Sequence, residues 1–168
     1  LPRYAGLNAP VWALLQGAVQ HGITWHLIDA GVDTGDILEQ RLFQIAADDT
    51  ALTLNTRCFE AALDSFPSLL AQLETGELRR NPQDMTHRSV FRRADRPAAM
   101  GRIDFAQSTT QVLRLIRALD HGSYWNPLTT AKLSLAGQVV SVGQGQLAPG
   151  AGAPGHILRA DANGLVVA

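Results

Sequence analysis

Apolar positions recur along this chain with two periods, and the change between them marks its elements. Val11, Leu14, Leu15 and Val19 are spaced as on one face of a helix. Pro10 suits a first turn and Gly22 stands beyond the last of them, so a helix is predicted over 10–20. Two β-like runs follow, Ile23 to Ile28 and Ile37 to Ile45, on either side of a turn packed with Gly and Asp; together they read as a hairpin. Leu52, Phe59, Leu63, Phe66, Leu70 and Leu73 then step by three, four or seven and predict a long helix from about Thr50 to Thr75. Asp48 and Asp49 are its cap candidates and Gly76 its stop, while Pro67 is expected to kink it or divide it.

After Gly76 the pattern changes. Residues 77–97 are polar, basic and punctuated by proline, which reads as a connector between a first unit, 1–76, and a second, 98–168. In the second unit Ser108 and Gln111 have capping-box spacing ahead of Val112, Leu115, Ile116 and Leu119. Short strand-like runs follow, Ala131 to Leu135 with Val139 to Val142, and Ile157 to Ala160 with Leu165 to Val167. Ala136-Gly137 and Asn163-Gly164 supply their turns. One helix, several short strands and Gly-rich turns predict a small β-barrel of the OB type.

Charge is unevenly spread behind a formal net value of −1. Residues 1–76 hold 3 basic and 9 acidic side chains, 77–97 hold 6 and 3, and 98–168 hold 5 and 3. The middle stretch is therefore either a solvated linker or a contact for a phosphate-bearing partner. With 46% apolar and 17% charged residues the composition is that of a folded globular chain. No apolar run approaches the ~20 residues of a membrane span, so no membrane partner is expected. Cys58 is the single cysteine, which excludes an internal disulfide and any cysteine cluster for a metal, and fits a reducing, cytoplasmic setting. The chain begins with Leu1 inside a loop-like segment and reads as a piece of a longer polypeptide.

The densest chemistry lies in Gly22 to Leu38, GITWHLIDAGVDTGDIL. Asp29, Asp33 and Asp36 fall within eight positions at the tip of the hairpin. Crowded carboxylates repel one another, and a compact turn that keeps them is a candidate site.

Leu1-Pro2-Arg3-Tyr4, Gly6, Trp12-Ala13, Gly17, Gly22-Ile23-Thr24 and Asp33-Thr34-Gly35-Asp36-Ile37-Leu38 resemble, in order and spacing, the LPxYxG…WAxxxG…GVT…DTGDIL string of the N10-formyltetrahydrofolate-dependent formyltransferases. Gly101-Arg102-Ile103-Asp104, Ile116-Arg117-Ala118 and the closing PGHILRADANGLVVA are similar to that family's C-terminal domain. The resemblance implies an α/β fold: the C-terminal part of a Rossmann-like catalytic domain, then an OB-like barrel. It implies transfer of a formyl group from 10-formyltetrahydrofolate to a primary amine, without a metal. Of the family's catalytic Asn, His and Asp, it places only the Asp in this chain, at Asp33. The Asn and His belong just upstream of Leu1, so the segment alone is expected to be inactive. It further implies that Asp29, Gly31 and Val32 line the pterin, and that Tyr4, Asn8 and His26 meet the acceptor.

For that acceptor, Leu7-Asn8-Ala9-Pro10, Thr24-Trp25-His26 and the HGSYWNP stretch look similar to formyltransferase domains of nonribosomal peptide and polyketide synthases, whose substrate is an aminoacyl group on a carrier protein. Methionyl-tRNA and an amino-sugar nucleotide are the alternatives.

Overall fold

The computed structural model describes residues 1–168, which form two units, Leu1–Asp95 and Arg96–Ala168. In chain order the elements of the first are β1 (Ala5–Gly6), α1 (Ala9–Leu15), β2 (Gln20–His26), β3 (Ile37–Gln44), α2 (Ala51–Thr75), a 3₁₀ turn (Met85–His87) and β4 (Val90–Phe91). Strands β2 and β3 form the expected antiparallel hairpin, in register from Gln20 opposite Gln44, with a bulge at Trp25/His26. Gly22 is required inside β2, because a Cβ there would stand 1.9 Å from the Arg41 carbonyl oxygen. Helix α1 is shorter than predicted. It stops at Leu15, and Gly17, at φ +65°, turns the chain before Val19, which is exposed.

Helix α2 runs unbroken through Pro67 for 25 residues. Its cap is Thr50 and not Asp48 or Asp49: Thr50 Oγ1 accepts from the Thr53 N–H, and Thr53 Oγ1 accepts from the Thr50 N–H. Asp49 instead lies buried beneath the helix start, where its carboxylate accepts from the Ala46 N–H at 2.7 Å and pairs with Arg57. The apolar stripe that identified the helix faces outward, with Phe59 65% and Leu63 74% exposed. Burial falls on Ala51, Leu54, Ser65 and Leu69, against β2, β3 and α1. Small residues at 51 and 65 let the helix approach closely, and Ser65 Oγ accepts from Trp25 Nε1 at 3.0 Å. Cys58 is half-buried, and burial pushes its thiol up to about 11, which leaves it unreactive.

Of residues 77–97, read from composition as a connector, 77–95 fall within the first unit. Asn81 exchanges both backbone hydrogen bonds with Ile37, and β4 pairs in parallel with β1.

The second unit contains a 3₁₀ turn (Ala98–Gly101), α3 (Thr109–Ala118), β5 (Ala131–Leu135), β6 (Gln138–Val142), β7 (Ile157–Asp161) and β8 (Gly164–Val167). Ser108 and Gln111 form the predicted capping box, and Ile103, Leu113, Ile116, Leu119, Leu128 and Ala131 make the core. The OB-type barrel expected from the strand pattern is not observed. Strands β5–β6 and β7–β8 are separate two-stranded ladders with no closed barrel. Each hairpin is specified by its own turn, Ala136-Gly137 with both φ positive and Asn163-Gly164. Such local signals carry no information about pairing between hairpins.

Candidate functional site

The tip of the β2–β3 hairpin folds back onto β1 and the segment before β4. Gly6, Leu7, Gly31, Val32, Asp33, Thr34, Met85, Arg88, Val90, Phe91 and Arg92 enclose a cleft of about 620 Å³. This is within the roughly 300–1,000 Å³ range of small-molecule sites. Its walls are mainly apolar, with one carboxylate and two arginines.

Asp33 stands on that wall at φ +54°, in the left-handed region. Its Oδ2 accepts from the Gly6 N–H at 2.6 Å, and its Oδ1 lies 3.6 Å from His26 Nε2. The two side chains are 32% and 21% exposed, so the pair is shielded yet reachable. The other nitrogen of His26, Nδ1, is 2.9 Å from the Leu27 carbonyl oxygen, a contact that orients the ring when Nδ1 carries the proton. Gly35 allows the return of the chain, since a Cβ there would meet the Leu27 carbonyl oxygen at 1.9 Å.

The other residues singled out in the sequence divide. Gly31 and Val32 line the cleft with Asp33. Asp29 is exposed and braces the turn, its Oδ1 accepting from the Gly31 N–H and the Thr34 hydroxyl; those bonds hold its carboxyl below the usual range. Tyr4 stacks on Phe91 (6.2 Å, 13°) and meets His21 edge-on (5.8 Å, 69°). Asn8, at φ +59°, serves as the residue ahead of α1, its carbonyl accepting from Val11 and Trp12. Of the opening loop, Gly6 and Leu7 line the cleft.

Three participants were not singled out as site residues in the sequence. Gln83 Nε2 donates to the carbonyl oxygens of Asp33 (3.1 Å) and Gly35 (2.6 Å), and Arg88 Nη2 donates to that of Val32. The Gly6 N–H is the third. Gln83 and Arg88 lie among the charges of a stretch that looks like a linker, and a backbone donor leaves no mark in a sequence. No group of three or more His, Cys, Asp or Glu side chains is placed to hold a metal ion, and no helix is long and apolar enough to cross a membrane.

His21, beneath Tyr4, is buried, and burial lowers its imidazole to about 4. The unfolded imidazole titrates near 6.5. The folded state therefore binds fewer protons between these values, and stability present above pH ~6.5 is lost as pH falls toward 4. Urea midpoints at pH 7 and pH 4.5 are expected to differ by the equivalent of about 2 kcal/mol more in the native chain than in His21→Gln. Equal pH dependence in the two would mean that His21 is not held neutral by burial.

The family model described as Formyl transferase matches residues 1–70, and that described as Formyl transferase, C-terminal domain, matches residues 97–168. The chain is 34% identical over 168 residues to a methionyl-tRNA formyltransferase of Pseudomonas putida, covering 100% of this chain and 52% of that protein. It is 32% identical to that of Chromobacterium violaceum, covering 99% and 51%. The chain thus spans about half the length of the curated relatives it matches. Among solved structures, an N-formyltransferase from Helicobacter canadensis, in complex with folinic acid and dTDP-3-aminofucose, is similar with TM-score 0.66 and 29% identity, over 70% of this chain and 44% of that one. HypX from Aquifex aeolicus, in complex with tetrahydrofolic acid, shares the fold with TM-score 0.74 at 20% identity, over 97% and 28%.

Proposed function

The chain belongs to the formyl transferase family, and we propose that the protein moves a formyl group from 10-formyltetrahydrofolate to a primary amine. The observation that carries this reading is Asp33: a carboxylate on the wall of the cleft, held at 2.6 Å by the Gly6 N–H and faced by His26 Nε2. An amine is mostly ammonium at neutral pH and must lose a proton before its lone pair can attack. Asp33 takes that proton, directly or through a water, a role worth typically ~10²–10⁴ in rate. The donor, when bound, supplies the one-carbon unit. The cleft suits it: Leu7, Val32 and Met85 offer apolar surface to a ring, and Arg88 and Arg92 offer charge to carboxylates. In this reading Gly31 and Val32 line the donor with Asp29 bracing their turn, and His26 orients Asp33 beside the acceptor. Tyr4 and Asn8 shape the opening loop.

The acceptor we favour is methionyl-tRNA, since relatives of that name are identical to this chain at about a third of the aligned positions across both units. An amino-sugar nucleotide is the second reading, favoured by the likeness to the Helicobacter canadensis protein. The carrier-bound amine read from Thr24-Trp25-His26 and HGSYWNP has no counterpart among the relatives named above. An OB-like closure of the second unit is not part of the proposal.

The test is a formyl-transfer assay on the complete protein with 10-formyltetrahydrofolate and, in parallel, methionyl-tRNA, a dTDP-amino sugar and an aminoacyl carrier protein. Transfer to methionyl-tRNA supports the first reading, and transfer to either of the others moves the acceptor. Absence of transfer to all three would overturn the proposal.

A further inference from the structure

We propose that Gln83 is a positioning residue for the Asp33 carboxylate, so that a segment matched by neither family model is a working part of the site. The inference rests on the role given to Asp33 above. Asp33 has a left-handed backbone, which aspartate tolerates better than most side chains but which remains less favourable than the right-handed region. Relaxing it would swing the carboxylate away from Gly6. What opposes relaxation is a row of donors reaching across some fifty residues of sequence. Gln83 Nε2 meets the carbonyl oxygens of Asp33 and Gly35 together, and Arg88 meets that of Val32. Two carbonyl acceptors fix the orientation of the amide, nitrogen inward.

The cost of this arrangement is visible. Gln83 Oε1 and Arg88 Nε are both buried without a hydrogen-bond partner. Buried polar atoms are usually satisfied, and a side chain that only filled space would do so better as Leu or Met. Glutamine here exchanges an unsatisfied oxygen for donation to the Asp33–Thr34 and Gly35–Asp36 peptide units. The first of these adjoins the Asp33 Cα and helps set the direction of its Cα–Cβ bond, and the second anchors the turn that follows. Gln83 does not line the cleft with Asp33, so it acts through the loop and not on a substrate.

The test compares Gln83→Glu and Gln83→Met with the native residue in the complete protein. Glutamate is isosteric; ionised, it turns an oxygen toward two carbonyl oxygens, and protonated, it regains one donor. Methionine keeps the length and has no donor. Both variants are expected to lower kcat by about 10- to 100-fold at pH 8, with KM for the donor within about threefold. Only Gln83→Glu is expected to recover activity as pH falls, a new limb in the pH–rate profile. A readout independent of turnover is the Gly6 amide proton, which donates to the Asp33 carboxylate at 2.6 Å. Its resonance should move upfield in both variants.

Should the native protein transfer no formyl group, the functional reading fails and the Gly6 resonance still decides on positioning. Variants with kcat within about twofold of native, or a fall in kcat with an unmoved Gly6 resonance, would overturn the proposal. If the glutamate variant does not fold, Gln83→Met alone decides by the same two measurements.

Discussion

Asp33→Asn in the complete protein is expected to lower kcat for formyl transfer by about 10²- to 10⁴-fold, with little change in the KM of the folate donor. The substitution isolates charge and basicity from shape. Asparagine has the same volume, tolerates the left-handed backbone as aspartate does, and keeps an oxygen to accept from the Gly6 N–H. What it loses is the site for the amine proton and the negative charge opposite His26. A rate loss with intact donor affinity, partly relieved at high pH where more of the amine is already neutral, identifies Asp33 as the base. A kcat within about threefold of native would assign the proton to another group.

Gly6→Ala is expected to be strongly damaging to the first unit. Gly6 sits at φ +90°, and an added Cβ would stand 2.2 Å from the Phe91 carbonyl oxygen, a backbone atom that cannot turn aside. The two-residue β1–β4 ladder must open, and with it goes the hydrogen bond that holds the Asp33 carboxylate. Backbone strain, overpacking and a lost bond to a charged group each contribute of order 1–3 kcal/mol, so the total is roughly 3–9 kcal/mol. Set against the ~5–15 kcal/mol that holds a typical domain together, this is a major loss. Urea denaturation should show a midpoint lowered in proportion, and amide exchange should quicken first at residues 5–7 and 89–91. An unchanged midpoint would mean that the β1–β4 contact is dispensable.

How far the sequence could be read depended on the range of the interaction. The hairpin, α2 and α3 were legible because their signals are local: strand runs around a Gly/Asp turn, helical spacing, and a capping box at Ser108 and Gln111. Helix α1 is shorter than its apolar rhythm implies, because Val19 keeps that rhythm after Gly17 has already turned the chain. On α2 periodicity found the helix but not its inner face. Packing chose Ala51, Leu54, Ser65 and Leu69 as the inner face over the stripe of Phe59 and Leu63, with Ser65 small enough to meet the Trp25 indole. The barrel failed for the opposite reason, since pairing between hairpins is set far from either turn.

In the site, Asp33 was legible from its cluster and from the resemblance, and Gly31 and Val32 came with it. Gln83 and Arg88 were hidden in a stretch whose composition resembles solvated linker, although their donors reach back to the Asp33 turn. Tyr4 and Asn8, expected at the acceptor, lie on either side of Gly6 and Leu7, which line the cleft.

The bond from the Gly6 amide to Asp33 ties the mouth of the cleft to its chemistry. Leu7, the adjoining residue, forms part of the wall, so in the proposed mechanism any redesign of residues 4–8 for a new amine also tugs on the group that takes the proton. On that reading selectivity and speed are not independent dials. Variants that widen the choice of amine at this loop should as a rule become slower, and restoring their pace would call for compensating changes around residues 83–91, on the far side of the same carboxylate.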